Sequence, residues 1–239
     1  MKQKLLIFLA TALAVSHIQL AWAQYPDPFL NDDQRPNGLK WIPAPPVATS
    51  GAFYNDYYYH QWGKEQRSQV GEKALWDEGV ELYEAFSEVF GLTLNRTNTP
   101  EIVLLAEKCV RDVHLANKKV KNYYQRRRPF ATFNEPSLKP WEDEEEAKTF
   151  SYPSGHSSRG WMFAMVLTTV APELTEVLMA RAREYAEHRI VCGHHWKSDI
   201  DAALMLSAGI FARLVATEDY QQQLQKAREE YSRLTQKKE

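Results

Sequence analysis

Thr99-Pro100-Glu101 opens the stretch that most constrains how this chain folds. A capping hydroxyl, a proline at the first helical position and an acid in the first turn together signal a helix start. Apolar residues then recur at Ile102, Leu105, Cys109, Val113, Ala116, Val120 and Tyr124. Steps of three and four place them on one continuous stripe. A long helix with such a stripe has to bury it against neighbouring elements. The helix should end by Arg128, because the residue before Pro129 disfavours the helical region.

The rest of the chain supplies further helices. Gln66 to Phe90 reads as one or two, broken near Gly79. Ser154 to Val170 is another, and Pro172 to Arg189 the next. Asp199 to Val215 is small and apolar enough to be buried, and Thr217 onward is amphipathic and highly charged. No hairpin series, internal repeat or dinucleotide-binding fingerprint interrupts them. The expected fold is an all-α, single-domain helical bundle.

Two regions stand outside this pattern. Residues 24–50 carry Pro26, Pro28, Pro36, Pro43, Pro45 and Pro46, and read as an irregular arm laid over the domain. Phe130 to Tyr152 is a long connection with the acidic run Glu142 to Glu146. That run reads first as a solvated loop, and second as a gate repelling highly charged substrates. The patch Tyr54, Tyr57, Tyr58 and Tyr59 is read as core packing ahead of an interface.

The 239 residues suit one domain, and 44% hydrophobic content suffices for a core. A net charge of −2 gives no basic excess for a nucleic-acid backbone, so nucleic acid is not an expected partner. Positive charge is local. Lys118, Lys119 and Arg126 read as a solvated helix face.

Residues 1–23 read as a signal peptide. Lys2 and Lys4 precede the apolar run Leu5 to Val15, and Ala21-Trp22-Ala23 fits the cleavage pattern. The mature domain would then span 24–239 and be exported, most simply to a bacterial periplasm. No later stretch reaches the ~18–20 apolar residues that span a bilayer, so no stable membrane insertion is expected after cleavage. Cys109 lies 12 residues before Lys121, roughly 18 Å along a helix. Cys192 is three residues from His195. Bridged Cα atoms lie within about 7 Å, so two buried free thiols are expected.

Three blocks carry the chemistry: Lys121-x6-Arg128-Pro129, Pro153-Ser154-Gly155-His156 and Arg189-x5-His195-x3-Asp199. Lys121 and Arg128 are about two helical turns apart, on one face and ~10 Å along the axis. Their long side chains could converge on one anion, which Arg128 could bind through two oxygens. The second block opens a helix, where exposed N–H groups attract anions. Gly155 allows close approach, and the Ser154 hydroxyl adds a donor. Asp199, four residues after His195, could accept the Nδ1 proton and leave Nε2 free to attack phosphorus. His17, His60, His114 and His194 are read as structural. No cysteine pair with zinc spacing and no His-Glu-x-x-His occurs, so neither a metal nor another cofactor is expected.

Together the blocks resemble the signature of the type 2 phosphatidic acid phosphatase superfamily, which includes the vanadium haloperoxidases. Within it, the chain looks like the bacterial class A nonspecific acid phosphatases. The resemblance runs from Thr99 to the helix after Asp199. The third block departs from the usual Ser-Arg by reading His188-Arg189.

The resemblance implies catalysis by His195, His156 and Asp199. His195 would be the nucleophile, forming a phosphohistidine. His156 would protonate the leaving alkoxide and then activate water. Lys121, Arg128, Ser154, Gly155 and Arg189 would bind the phosphate of small phosphomonoesters. The leading reading is a secreted, metal-independent acid phosphatase of broad specificity. A vanadate-dependent haloperoxidase and a lipid phosphatase acting at the membrane surface are the alternatives. A homo-oligomer remains open.

Overall fold

A computed structural model describes residues 25–236. The expected signal peptide and its cleavage point lie outside the described residues. Among the described residues every regular element is helical. These are α1 Gly51–Gly79, α2 Leu82–Phe90, α3 Pro100–Tyr124, α4 Pro129–Phe133, α5 Asp143–Glu146, α6 Gly155–Val170, α7 Thr175–Val191, α8 Lys197–Leu214 and α9 Glu218–Gln236. Short 3₁₀ turns sit at Gly38–Lys40 and Pro172–Leu174. The all-α expectation holds.

The stripe on α3 is buried as its spacing demands, from Ile102 through Val120. Its cap differs from expectation. Thr99 makes no capping bond with its side chain. Instead, Glu230 of α9 accepts the Glu101 and Ile102 N–H groups at 3.0 Å each. A buried carboxylate thereby serves the positive end of α3 and ties the two helices together. Gln125, in the left-handed region at φ 47°, ends the helix four residues before Pro129.

Helix α6 is the centre of the bundle. It packs against α3, α7, α8, α9 and α2, and nearly every side from Ser157 to Leu167 is buried. A helix that is apolar all round belongs in a core. Close approach to α7 depends on Gly160, where a Cβ would lie 2.5 Å from the ring of Tyr185.

Two expectations change here. The first helix starts at Gly51, capped by the Ser50 hydroxyl at 3.2 Å from Phe53 N, rather than near Gln66. The tyrosine patch therefore rides on α1. Tyr54, Tyr57 and Tyr58 are exposed, and only Tyr59 packs on the core. The packing reading fails for these three because, at i, i+3 and i+4, they share one face of α1, and that face is turned to solvent. The acidic run is also not a plain loop: its end forms α5.

The N-terminal arm lies over the bundle as expected. Asp112 of α3 accepts the Phe29 N–H at 2.9 Å and the Leu30 N–H at 3.3 Å, and pairs with Arg35. Leu30 and Ile42 are buried. Cys109 and Cys192 are free and buried, in separate apolar clusters. No single helix among the described residues is long and apolar enough to cross a membrane.

Candidate active site

Backbone geometry brings the three blocks together. Gly193 follows α7 with φ 82°, a conformation suited to glycine, and turns the chain back. The His194 and His195 N–H groups then both donate to the Arg189 carbonyl, at 3.1 and 3.2 Å. The Ser154 N–H donates to the Asp199 carbonyl at 3.1 Å, joining the second block to the third. Arg128 Nη1 donates to the His194 carbonyl at 3.0 Å, joining the first. The result is a cavity of about 440 Å³ lined by Lys121, Arg128, Gly155, His156, Arg189 and His195. Ser154 and Asp199 are fully buried behind that lining.

Lys121 and Arg128 meet for a reason other than the expected one. They do not share a helical face. Lys121 is in the last turn of α3, whereas Arg128 is extended and precedes α4. The bend at Gln125 does what two helical turns were expected to do. Lys121 Nζ donates to the Phe150 carbonyl at 2.7 Å. Burial, together with the Arg128 charge, pushes the Lys121 pKa down to about 7. Arg189 is buried, and its Nε has no hydrogen-bond partner among the described residues. That donor is open to a ligand in the cavity it lines.

The two histidines differ in their support. His195 Nδ1 lies 3.1 Å from Asp199 Oδ2, and its Nε2 lies 3.2 Å from Arg128 Nη1. With its proton on Nδ1, shared with Asp199, the ring presents a bare Nε2 towards the cations. Burial, then Arg128, Arg189 and Lys121, hold its pKa well below the ordinary value. Burial and the three cations thus favour the neutral ring, the form that can attack. His156 sits in the first turn of α6, stacked on Tyr185 at 3.9 Å and 12°. Its buried Nε2 has no partner among the described residues. Burial, Arg189 and Arg159 also push its pKa well down.

Ser154 caps α6. Its oxygen accepts from Ser157 N at 3.2 Å and from Ser157 Oγ at 2.8 Å. Both acceptor positions of the hydroxyl are then filled, and what remains is its proton, which an anion needs. A Cβ on Gly155 would meet only Asn117 Oδ1, at 3.8 Å. The glycine thus keeps cavity space open rather than relieving a clash within the protein.

Sequence reasoning missed Glu78, and reached Glu142 and Glu146 only through the second reading of the acidic run as a gate. Glu78 Oε1, at the end of α1, lies 2.5 Å from Arg189 Nη1 and 3.0 Å from His194 Nδ1. Glu146 Oε2 of α5 lies 2.7 Å from Arg128 Nη2. Glu142 and Glu146 line the cavity, so the solvated-loop reading fails for them. One signal pointed to Glu78: acids are unfavourable at a helix C-terminus, and Asp77-Glu78 stand there.

Other readings also change. His188, in place of the usual serine, lies 2.6 Å from buried Asp77, which also binds Arg181. His114 lines the cavity, and burial and Arg159 push its pKa down to about 3. Arg126 is not on a solvated face: its Nη1 is 2.7 Å from Asp199 Oδ1. His60 keeps its structural reading, stacked on Phe133 and 3.1 Å from Glu135. Among the described residues no group of three His, Cys, Asp or Glu side chains is placed to hold a metal.

Comparison with known proteins places this helical chain in a family. A sequence model of the PAP2 superfamily matches residues 103–223, and the chain belongs to that superfamily. A non-specific acid phosphatase of Providencia stuartii is 35% identical over 211 residues, 86% of this chain and 85% of that protein. Non-specific acid phosphatases of Salmonella typhimurium and Salmonella typhi are each 33% identical over 237 residues, 96% of this chain and 93% of theirs. Within the superfamily the chain is a class A nonspecific acid phosphatase, a phosphomonoester hydrolase.

Proposed function

We propose that this phosphatase is exported, acts on many phosphomonoesters without a metal, and works through a phosphohistidine on His195. One observation carries the mechanism. His195 is held at Nδ1 by Asp199 while its Nε2 faces a guanidinium in the cavity shared with Lys121 and Arg189. Anion binding alone would not need the histidine–aspartate pair.

A substrate phosphate would sit among Lys121, Arg128, Arg189, the Ser154 hydroxyl and the α6 N-terminus. Nε2 of His195 then bonds to phosphorus as the ester P–O bond breaks, and the leaving alkoxide takes a proton from His156. Next, His156 removes a proton from water, the hydroxide attacks phosphorus, and the P–N bond breaks. The cations stabilise charge on the three equatorial oxygens throughout. In the free protein burial and the neighbouring arginines favour neutral His156. The incoming anion offsets Arg189 and Arg159 and lets His156 take up the proton it must donate.

Broad specificity is supported by the assignment of Lys121, Arg128, Ser154, Gly155 and Arg189 to the phosphate, the part that all phosphomonoesters share. Export rests on residues 1–23 and is checked by sequencing the N-terminus of the secreted protein, which should begin at Gln24. The mechanism is tested by rapid-quench trapping of phosphoenzyme. His195→Ala should form none and turn over nothing. His156→Ala should lose ~10²–10⁴-fold on alkyl esters but far less in the first step with p-nitrophenyl phosphate, whose leaving group needs no proton. Phosphoenzyme in His195→Ala but none in His156→Ala would exchange the two roles. Activity lost in EDTA and restored by a divalent ion would sink the metal-free mechanism.

A further inference from the structure

We propose that Arg126, anchored on Asp56, is the positioning residue of the nucleophile: it fixes Asp199 so that Asp199 holds His195 in the attacking tautomer. The proposal rests on the reading of His195 as nucleophile.

Arg126 follows α3 and does not line the cavity. Its side chain is 10% exposed and grips three groups at once. Nη1 lies 2.7 Å from Asp199 Oδ1 and 2.7 Å from Ser198 Oγ, and Nη2 lies 2.6 Å from Asp56 Oδ2. Asp56 comes from α1 and is fully buried. It also accepts the Ser198 N–H at 2.8 Å and the Ser198 hydroxyl at 2.7 Å. The guanidinium lies over the Trp196 ring, 5.0 Å from its centre. Arg126 therefore cannot swing away without breaking contacts to α1 and to the start of α8.

Each oxygen of Asp199 thus has its own task. Oδ1 belongs to Arg126, and Oδ2 accepts from His195 Nδ1 at 3.1 Å and from Trp196 N at 2.9 Å. With Oδ1 pinned, the carboxylate cannot turn, and Oδ2 keeps its aim at the imidazole. Charge matters as well. Asp199 is wholly buried, and burial pushes its pKa up, with Arg126 the main opposing influence. The other charged or titratable groups around it are Asp56, His195, Lys121, Arg128 and Tyr152. Lys121 and Arg128 line the cavity, so Arg126, shared with Asp56, is the cation outside the cavity that balances Asp199.

Without Arg126, Asp199 would take up a proton more readily and become a donor. A donor cannot face Nδ1–H. The imidazole would shift its proton to Nε2, the atom that must attack, and the nucleophile would be lost in the wrong tautomer. As pH falls, that loss would set in earlier than in the native protein.

The test compares Arg126→Gln, Arg126→Lys and His195→Ala in the full chain. Measurements are kcat and KM for p-nitrophenyl phosphate across pH, the Ki of inorganic phosphate, and the folded fraction. Arg126→Gln should lower kcat on the order of 10²-fold, the effect of a displaced reacting group. Phosphate Ki should stay near native, and the acid limb of kcat/KM should move to higher pH. Arg126→Lys keeps the charge and loses the fork, so it should recover the acid limb and only part of kcat. An unmoved acid limb in Arg126→Gln, or a loss of kcat matched by weaker phosphate binding, overturns the proposal. Should Arg126→Gln not fold, Arg126→Lys decides: native kcat overturns the proposal, while lowered kcat at native Ki supports it. Turnover and phosphoenzyme in His195→Ala would remove the underlying reading instead, whatever the arginine variants do.

Discussion

The Glu146 carboxylate occupies an edge of Arg128 that a substrate phosphate would need, and Glu146→Gln should therefore tighten anion binding. Glu146 Oε2 lies 2.7 Å from Nη2 of a guanidinium that is otherwise buried. Nε of Arg128 already donates to the Glu146 carbonyl at 3.1 Å, and Nη1 to the His194 carbonyl at 3.0 Å. An incoming phosphate has to displace the carboxylate or share Arg128 with it. Unit charges ~4 Å apart near a protein surface attract by about 4 kcal/mol before desolvation and screening. The Glu146 side chain is 32% exposed, however, and exposed pairs are worth only ~0.2–1 kcal/mol. The upper end of that range, ~1 kcal/mol, is a reasonable gain on removing the charge, or about fivefold in Ki. Glutamine keeps the size and the backbone carbonyl, so Arg128 keeps its other contacts. The assay is competitive inhibition of p-nitrophenyl phosphate hydrolysis by inorganic phosphate and by orthovanadate, with KM and kcat from the same data. Both Ki values and KM should fall about fivefold, with kcat little changed. A Ki that rose, with kcat falling alongside, would show that Glu146 orients Arg128 for the phosphate rather than competing with it.

Further outcomes follow from the same geometry. Lys121, pushed down to about 7, is charged below that pH and neutral above it, so KM should climb as pH rises through 7, and Lys121→Met should remove that climb. Gly160→Ala would place a Cβ 2.5 Å from the Tyr185 ring on which His156 stacks. It should cost ~1–3 kcal/mol, seen as a lower melting temperature, and should slow alkyl ester hydrolysis more than a surface Gly→Ala change. Burial and neighbouring cations hold His156 and His195 below their ordinary pKa when folded, whereas both titrate near ~6.5 when unfolded. Their depressed pKa makes the unfolded state bind more protons, so stability present above ~6.5 should fade as pH drops below it. Melting curves at several pH values should show this, and saturating phosphate should reduce the effect.

The fold was legible wherever periodicity was. The stripe from Ile102 to Val120 and the uniformly apolar face of residues 155–170 each state what they bury. The start of α1 was hidden because Tyr54, Tyr57 and Tyr58 are apolar-looking residues that face solvent. Aromatic composition says that a residue could be buried, and only phase along the helix says whether it is. The loop status of 142–146 was misjudged for the converse reason. A run of acids has no apolar phase at all, yet here it is held by cations that the sequence places elsewhere, Arg128 and Lys139.

The site divides along the same line. The eight candidate site residues were picked out because their types and spacing state a chemistry, and the fold gathers all eight at one cavity. Their partners were not found, because a carboxylate that balances a buried arginine looks, in sequence, like any surface acid. Glu78, Glu146 and Asp56 are such acids, and each becomes meaningful only when a fold sets it against Arg189, Arg128 or Arg126. The cost of burying these guanidiniums makes the partners obligatory. A chain with three arginines in its phosphatase blocks and the turn beside them therefore needs acids nearby, even where no spacing rule names them. Two of these acids sit on cations that face the cavity and one on a cation that does not. That difference separates their effects: changing Glu78 or Glu146 should be felt first in anion affinity, whereas changing Asp56 should be felt first in the reactivity of His195.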